Sequence, residues 1–155
     1  MSRTADRRAA DAWAAYRRLR QIVDAEIARD LEQGTGLSMP DYEVLEALAE
    51  LRDPQACIRV RGLAAHLNWP HSRLSRQLGR MERRGLVARE PCERDGRGDD
   101  VLLTDAGQNA LDSAVPAHRA SIHRHFTDLL APAQLAALTG IERTVAERRA
   151  AGAAP

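Results

Sequence analysis

The chain has 155 residues, of which 44% are hydrophobic and 3% aromatic, and its formal net charge is +1. It holds no apolar run long enough to span a membrane and no hydrophobic signal core near residue 1, so we expect a cytoplasmic protein. The two cysteines, Cys57 and Cys92, are far apart and form no CxxC pair, so we expect no disulfide scaffold.

The basic residues are unevenly distributed. Residues 58–97 contain ten arginines against four carboxylates, a balance of 10 − 4 = +6, which leaves 1 − 6 = −5 for the rest of the chain. All 23 basic residues are arginine, the side chain that binds phosphate and guanine through two parallel hydrogen bonds. A basic segment within a nearly neutral chain is typical of a nucleic-acid-binding protein, and the alternative is a solvated charged face.

Apolar residues at steps of three and four predict a long helix over 6–33, which Gly34-Thr35-Gly36 ends. Ser38 to Asp41 forms a candidate capping box with Pro40 in the first turn. The helix that follows is predicted to stop before Asp53-Pro54. Residues 57–60 are a candidate short strand.

Two short helices then follow with a tight turn between them. The first covers 61–67, Asn68-Trp69-Pro70 makes the turn, and the second runs to Arg84 with Gly85 as its stop. The residues of this second helix that are predicted to face the core are Leu74, Leu78 and Met81. This arrangement is a helix-turn-helix, whose second helix enters the major groove of DNA.

Residues 93–107 read ERDGRGDDVLLTDAG and contain a hairpin tip, Gly96-Arg97-Gly98. Residues 86–93 and 100–103 are predicted to be its two strands, which makes a wing. Thr104 is a candidate N-cap of a long helix, in which Pro116 predicts a kink or a local break. A last helix is predicted to open at Pro132.

These elements resemble the MarR family of bacterial transcription regulators. The resemblance lies in LSMPDYEVLEALAE at 37–50, VRGLAAHLNWPHSRLSRQLGRMERRGLV at 60–87, and Asp95-x-Arg97 followed by LLTDAG at 102–107. It implies one mainly α-helical domain over 1–155 with a small β-wing. Within it, a winged helix-turn-helix over 38–104 is flanked by dimerisation helices over 6–37 and 105–150. The family implies a homodimer that a ligand or a redox signal releases from DNA.

The residues alone also favour a dimer. The long first helix and the last two helices carry apolar stripes but no basic face, and a two-fold dimer would present two recognition helices to a pseudo-palindromic duplex. We therefore predict a repressor whose partners are double-stranded DNA and a second copy of the chain. The alternative is a winged helix that binds protein without DNA.

The predicted DNA contacts lie on the second helix and at the tip of the wing. On the helix, hydroxyl and guanidinium groups can bond to bases or adjacent phosphates, and on the wing an arginine can enter a narrow minor groove. Asp95 is predicted to orient an arginine, and the alternative for the tip is a plain surface turn. The contacts predicted on these grounds are Ser72, Arg73, Ser75, Arg76, Gln77, Arg80, Asp95 and Arg97.

Three large side chains are candidates for an effector cleft. Trp13, Tyr16 and Tyr42 could line a site for a small aromatic or anionic ligand, with plain core packing as the alternative. Motifs of nucleotide-binding loops, hydrolase elbows and zinc proteases are absent, so we expect no enzyme and no cofactor.

A metal site and a redox site are both disfavoured. His118, His123 and His125 do not share one helix face and lack a completing ligand, so we expect no metal. Redox-sensing relatives carry their reactive cysteine in the first helix, which here has none, so we expect two structural cysteines and DNA release that does not depend on oxidation.

Overall fold

The computed structural model describes residues 3–93 and 98–152. It is mainly helical with one two-stranded antiparallel sheet in those ranges, which confirms the predicted fold class. The elements, in chain order, are α1 (Arg3–Thr35), α2 (Met39–Leu51), α3 (Val60–Leu67), α4 (His71–Arg83), β1 (Val87–Pro91), β2 (Asp99–Leu103), α5 (Asp105–His125), a short 3₁₀ turn (Thr127–Leu129) and α6 (Pro132–Gly152).

Residues 28–118 form one compact unit, which contains the whole predicted winged module. Its core is built from aliphatic side chains of α2, α3, α4 and the sheet, with Tyr42 as its one fully buried aromatic. Small helices can approach closely when few rings separate them, and burying their side chains is the main stabilising contribution. The largest fully buried side chains of this unit include Leu31, Leu45, Leu48, Leu63, Leu74, Leu78 and Met81.

Short polar motifs end and begin the helices where the sequence predicts them. The Ser38 hydroxyl accepts from the Asp41 backbone N–H at 3.2 Å, and the Asp41 carboxylate accepts from the Ser38 N–H at 3.0 Å, which confirms the capping box. Between α3 and α4, Asn68 takes a left-handed conformation with φ of 53° and closes the tight turn. The predicted helix-turn-helix is therefore present.

The wing strands pair in a single register, from Val87 opposite Leu103 to Pro91 opposite Asp99. The Thr104 hydroxyl accepts from the Gly107 N–H at 3.0 Å, as expected of an N-cap. A side chain at Gly107 would place its Cβ 2.0 Å from the Leu86 carbonyl oxygen. Only glycine therefore lets the first turn of α5 lie this close to the chain entering β1.

Two predictions about local structure differ from the structure: the strand at 57–60 is absent, and of the kink or local break predicted at Pro116, no break is present. Residues 57–59 form no strand, and Val60 already begins α3. Ile58 nevertheless bonds to β2, where its carbonyl oxygen accepts from the Val101 N–H at 2.8 Å. Pro116 does not break α5, which continues to His125. A proline removes one intrahelical hydrogen bond, and the turns on either side keep theirs.

Residues 1–27 and 119–155 form the second compact unit. It exposes large apolar side chains, and its last helix has no fully buried residue. None of the helices in the described ranges is long and apolar enough to cross a membrane. The exposed apolar side chains are Trp13, Tyr16, Leu19, Ile22, Leu129, Ile141 and Val145.

Candidate nucleic-acid interface

Helix α4 is fixed to the core along one side. Leu74, Leu78 and Met81 are completely buried, as their spacing of four and three residues predicts. Burying side chains of this size stabilises the helix position by roughly 1.5–3 kcal/mol each. The opposite side of α4 is thereby held outward in a fixed orientation.

The outward side of α4 is basic and hydroxyl-bearing. Ser72, Arg73, Arg76 and Arg80 are exposed and Ser75 is half-buried, so the structure brings these five predicted residues together on one helix. The Arg76 Nε donates to the Ser72 carbonyl oxygen at 3.3 Å. A long hydrogen bond to backbone at an exposed site is readily exchanged for one to a phosphate or a base.

Arg73 has a partner that the sequence analysis missed. Its guanidinium carbon lies 3.8 Å from the centre of the Trp69 ring, a cation–π contact. Trp69 is half-buried just before α4 and four residues before Arg73, so their separation along the chain was a usable signal. The contact restricts the rotamers of Arg73 while its donors stay accessible.

Gln77 does not face outward, so its prediction as an exposed DNA contact is wrong. Its side chain is 3% exposed, and its Nε2 donates to the Asp41 carboxylate at 2.6 Å. Gln77 lies three residues after Leu74 and directly before Leu78, which places it on the buried side. Its Oε1 accepts from the Arg80 guanidinium, so the amide joins the buried carboxylate to the exposed surface.

Asp41 accepts hydrogen bonds from both Gln77 and Arg84. Its second oxygen accepts from Arg84 Nη1 at 2.6 Å, and Arg84 Nη2 donates to the Gly36 carbonyl oxygen at 3.1 Å. The Asp41 side chain is 4% exposed, whereas that of Arg84 is 44% exposed. A single buried carboxylate thus caps α2 and binds the middle and the end of α4.

The wing is tied to α4 by an ion pair. Arg89 Nη2 of β1 lies 2.5 Å from a carboxylate oxygen of Glu82, with both side chains 30% exposed. The hydrogen bond from Arg89 lowers the pKa of Glu82, and the bond to Glu82 raises the pKa of Arg89. The strand and the recognition helix therefore share a charge pair at their junction.

Cys57 and Cys92 form a disulfide, so the expectation of no disulfide scaffold is wrong. Their Cα atoms are 6.2 Å apart although 35 residues separate them in sequence. Spacing alone does not reveal such a pair, because its proximity depends on how α3, α4 and β1 fold back on each other. The bond joins the segment before α3 to the end of β1.

Asp95 and Arg97 lie outside the described residues, between Glu93 and Gly98. Their predicted roles at DNA stay predictions.

The three candidate effector residues have different environments. Trp13 and Tyr16 are 61% and 51% exposed in α1, with ring centres 5.7 Å apart. Tyr42 is buried in the other compact unit, where its hydroxyl donates to Glu46 at 3.0 Å. Trp13 and Tyr16 therefore lie together on exposed positions of α1, whereas Tyr42 is a core residue.

His118 packs on Tyr42 with ring centres 4.3 Å apart. Burial lowers the pKa of His118, and the nearby Glu46 carboxylate opposes that shift. Within the described part of the chain, no three His, Cys, Asp or Glu side chains are placed to hold a metal ion.

Comparisons with known proteins place this geometry in one family. The model of the MarR family matches residues 35–98, which cover α2 through the start of the wing. The transcriptional regulator HosA of Escherichia coli is 34% identical over 102 residues, 66% of this chain and 73% of HosA. The chain belongs to the MarR family of transcriptional regulators.

Solved MarR structures resemble the whole chain. AbsC from Streptomyces coelicolor superposes with a TM-score of 0.80 at 35% identity and covers 97% of both chains. Sco3205 from the same organism, solved in complex with DNA, gives a TM-score of 0.77 at 33% identity over 93% of this chain and 90% of its own. These MarR relatives favour a DNA-binding regulator over the protein-interaction alternative.

Proposed function

We propose that this MarR regulator is a homodimeric repressor that binds pseudo-palindromic operators through α4 and the wing of each subunit. It acts in the cytoplasm, where bacterial DNA lies, and it acts by binding rather than by catalysis. One observation carries the proposal: an outward basic side on α4 is fixed from behind by a fully buried apolar row and by the Asp41 network.

Arg73 and Arg76 are the proposed base-reading residues. Both are exposed and three residues apart, so they project from the same side of α4. Arginine can donate to guanine O6 and N7 together, which discriminates bases, while Ser72, Ser75 and Arg80 can bond to bases or the backbone. Gln77 supports α4 from inside and is not proposed as a contact.

The dimer is inferred from the apolar surface of the unit formed by 1–27 and 119–155. Within residues 3–93 and 98–152, all seven exposed large apolar side chains belong to this unit, and none belongs to the winged module. Exposed apolar surface concentrated in one part of a molecule marks an interface. Two-fold pairing would present two α4 helices to successive major grooves about one helical turn apart.

Two further parts of the proposal concern the wing and the effector. Arg97 enters the minor groove beside the site, and Asp95 orients an arginine of the interface. A small aromatic or anionic effector binds near Trp13 and Tyr16, whose ring centres lie 5.7 Å apart with a 31° tilt between the rings, with Tyr42 as a third candidate. Such a ligand releases DNA only if it binds the two states of the dimer with different affinities.

The test is selection of genomic fragments bound by the purified chain, followed by sequencing. Wild type should enrich a shared pseudo-palindrome, and the double variant Arg73→Ala, Arg76→Ala should lose that enrichment. The double variant Arg148→Ala, Arg149→Ala removes the same two charges from exposed positions of α6 and is the matched control. If wild type and the double variant enrich the same fragments, α4 does not read DNA.

A further inference from the structure

We propose that the Cys57–Cys92 disulfide is a thiol–disulfide switch on DNA affinity, in which the oxidised chain binds DNA more tightly. The proposal rests on DNA binding by α4 and the wing, as proposed above. It also reverses the expectation from sequence that the cysteines have no redox role.

The disulfide closes a ring around the DNA-reading elements. Cys57 lies three residues before α3 and Cys92 follows β1 directly, so the ring contains α3, α4 and β1. It uses both cysteines of the chain. Opening the bond therefore changes the covalent constraint on the recognition helix and on the wing together.

Three hydrogen bonds lie beside the disulfide. The Cys92 N–H donates to the Gly98 carbonyl at 3.2 Å, the Val101 N–H donates to the Ile58 carbonyl at 2.8 Å, and the Ile58 N–H donates to Asp100 Oδ1 at 2.6 Å. The first lies within the wing, just beyond the paired strands, and the other two connect β2 to the segment that leads into α3. Without the covalent bond, the tip-side end of this two-stranded sheet would depend on these hydrogen bonds and on the strand pairing, and two strands alone are marginally stable.

Cys57 is the more exposed residue of the pair. Cys57 is half-buried and lines an open cleft of about 680 Å³ together with Pro91 and Glu93, whereas Cys92 is 3% exposed. An external thiolate is therefore expected to attack Cys57 Sγ. The S–S bond breaks, Cys92 Sγ leaves as a thiolate and takes a proton, and a mixed disulfide forms on Cys57. A second thiol then releases Cys57 as a thiol, and the reductant becomes a disulfide.

In a reducing compartment, the disulfide forms and breaks with the redox conditions and does not persist. A DNA-binding regulator works where cellular thiols keep cysteines reduced, and disulfides there are usually transient or redox-sensing. A peroxide oxidises one cysteine thiolate to sulfenic acid and releases hydroxide. The second thiol displaces that oxygen as water, which forms the disulfide. Oxidation thus converts a loosely held wing into the ordered one.

Oxidation is expected to raise the affinity for DNA because ordering the wing costs conformational entropy. A wing that is already held loses less conformational freedom when it meets DNA than a wing that must be ordered on binding. The expected gain in affinity on oxidation is about three- to tenfold, which corresponds to ordering one or two side chains.

The experiment compares peroxide-oxidised and dithiothreitol-reduced protein, each freed of reagent, on the genomic duplex selected above and on mixed-sequence duplex. Fluorescence anisotropy should give a Kd for DNA that is about three- to tenfold lower for oxidised than for reduced wild type. The double variant Cys57→Ser, Cys92→Ser should bind like the reduced form under both treatments. Equal affinities of the two wild-type forms, or tighter binding by the reduced form, would overturn the switch.

Amide hydrogen exchange supplies a second measurement on the same samples. The N–H groups of Cys92 and Val101 should exchange faster in the reduced chain, while far-ultraviolet circular dichroism stays the same. Loss of helical signal on reduction would make the bond purely structural and overturn the switch. Failure of both forms to bind any duplex would overturn the proposed function as well, whereas equal binding by both overturns the switch alone.

Discussion

Arg76 is the residue for which base reading and phosphate binding can be separated most directly. It is exposed on α4, and its Nε makes only a long bond, to the Ser72 carbonyl. We expect Arg76→Ala to cost about 1–3 kcal/mol on the operator and to relax one position of the site. Competition anisotropy against operator variants measures both effects. Equal losses on operator and random duplex would instead make Arg76 a phosphate contact.

Asp41 is the residue on which the position of α4 depends most. Asp41→Asn replaces one acceptor oxygen by an N–H₂ donor that faces either Gln77 or Arg84, both of which donate to it now. We expect the variant to lose about 1–3 kcal/mol of unfolding free energy, measured by urea denaturation. Arg84 is partly solvated, so its share is at the low end.

The matched control for Asp41→Asn is Asp112→Asn, which makes the same change at an exposed site of α5, where the carboxylate accepts a hydrogen bond from Gln108. It should stay within about 0.5 kcal/mol of wild type. Equal stability of Asp41→Asn and wild type would show that the network does not hold α4.

The sequence predicts charged and apolar positions better than uncharged polar ones. The arginines of α4 are exposed as expected, because burying an arginine without a partner is very costly. Glutamine tolerates either environment, and the burial of Gln77 depends on a carboxylate 36 residues away. Only the i+3 step from Leu74 hinted at it.

The wing is the element whose role is best tested by one substitution. Arg97 follows Gly96 in a segment where no long cation is needed for the hairpin, so Arg97→Ala should leave thermal stability within about 0.5 kcal/mol. It should weaken operator binding and reduce the magnitude of the salt slope by roughly one unit. The loss should be larger on sites with A·T-rich flanks, where the minor groove is narrow.

Asp95→Ala provides the companion measurement. A smaller loss in the same direction supports an orienting role, and tighter binding would make Asp95 a repulsive charge near phosphate. Unchanged binding in Arg97→Ala would remove the wing from the DNA interface.

The cleft beside the disulfide should select its reductant by charge. Its charged lining residues sum to 1 − 4 = −3 and are Arg52, Asp53, Glu90, Glu93 and Asp100. At matched thiolate concentration, cysteamine should reduce the bond faster than mercaptoethanol, and mercaptoethanol faster than mercaptopropionate, because their attacking forms are successively more negative.

Rates of thiol release, followed with a chromogenic disulfide after quenching, measure this order. High salt should reduce the differences in reduction rate among the three thiols. The double variant Glu90→Gln, Glu93→Gln should reduce these differences at low salt. Identical rates for the three thiols at low salt would mean that reduction does not proceed through the cleft.

At the scale of elements, helices and the wing follow from periodicity and caps, and the exceptions have tertiary causes. The segment 57–59 has the β-branched residue expected of a strand, yet it is bounded by the disulfide and by the start of α3. Pro116 lies in a helix long enough to continue past it. In both cases neighbouring structure outweighs local preference.

At the scale of the molecule, the dimer is the prediction to test. Multi-angle light scattering at micromolar concentration should give twice the 17.1 kDa of one chain. Ile22→Glu places a charge on the exposed apolar surface of α1 and should shift the equilibrium toward monomer. Gln21→Glu adds the same charge one exposed position away and is its control. A monomer mass for wild type throughout would contradict the homodimer.

The family and the fold class were accessible from sequence because they depend on local signals that recur along the chain. The disulfide was not, because Cys57 and Cys92 meet only after the helix-turn-helix has folded. The exposed apolar surface was accessible as a stripe, but which of its side chains stay uncovered depends on packing within 1–27 and 119–155.

The stack of Arg73 on Trp69 also gives the protein an optical signal. The chain has two tryptophans, and Trp13→Phe would leave the indole under Arg73 as the single emitter. A guanidinium that leaves the ring to bind a base or a phosphate changes the electrostatic field on that indole. The emission of one native side chain would then report, without any attached dye, whether the recognition helix is occupied.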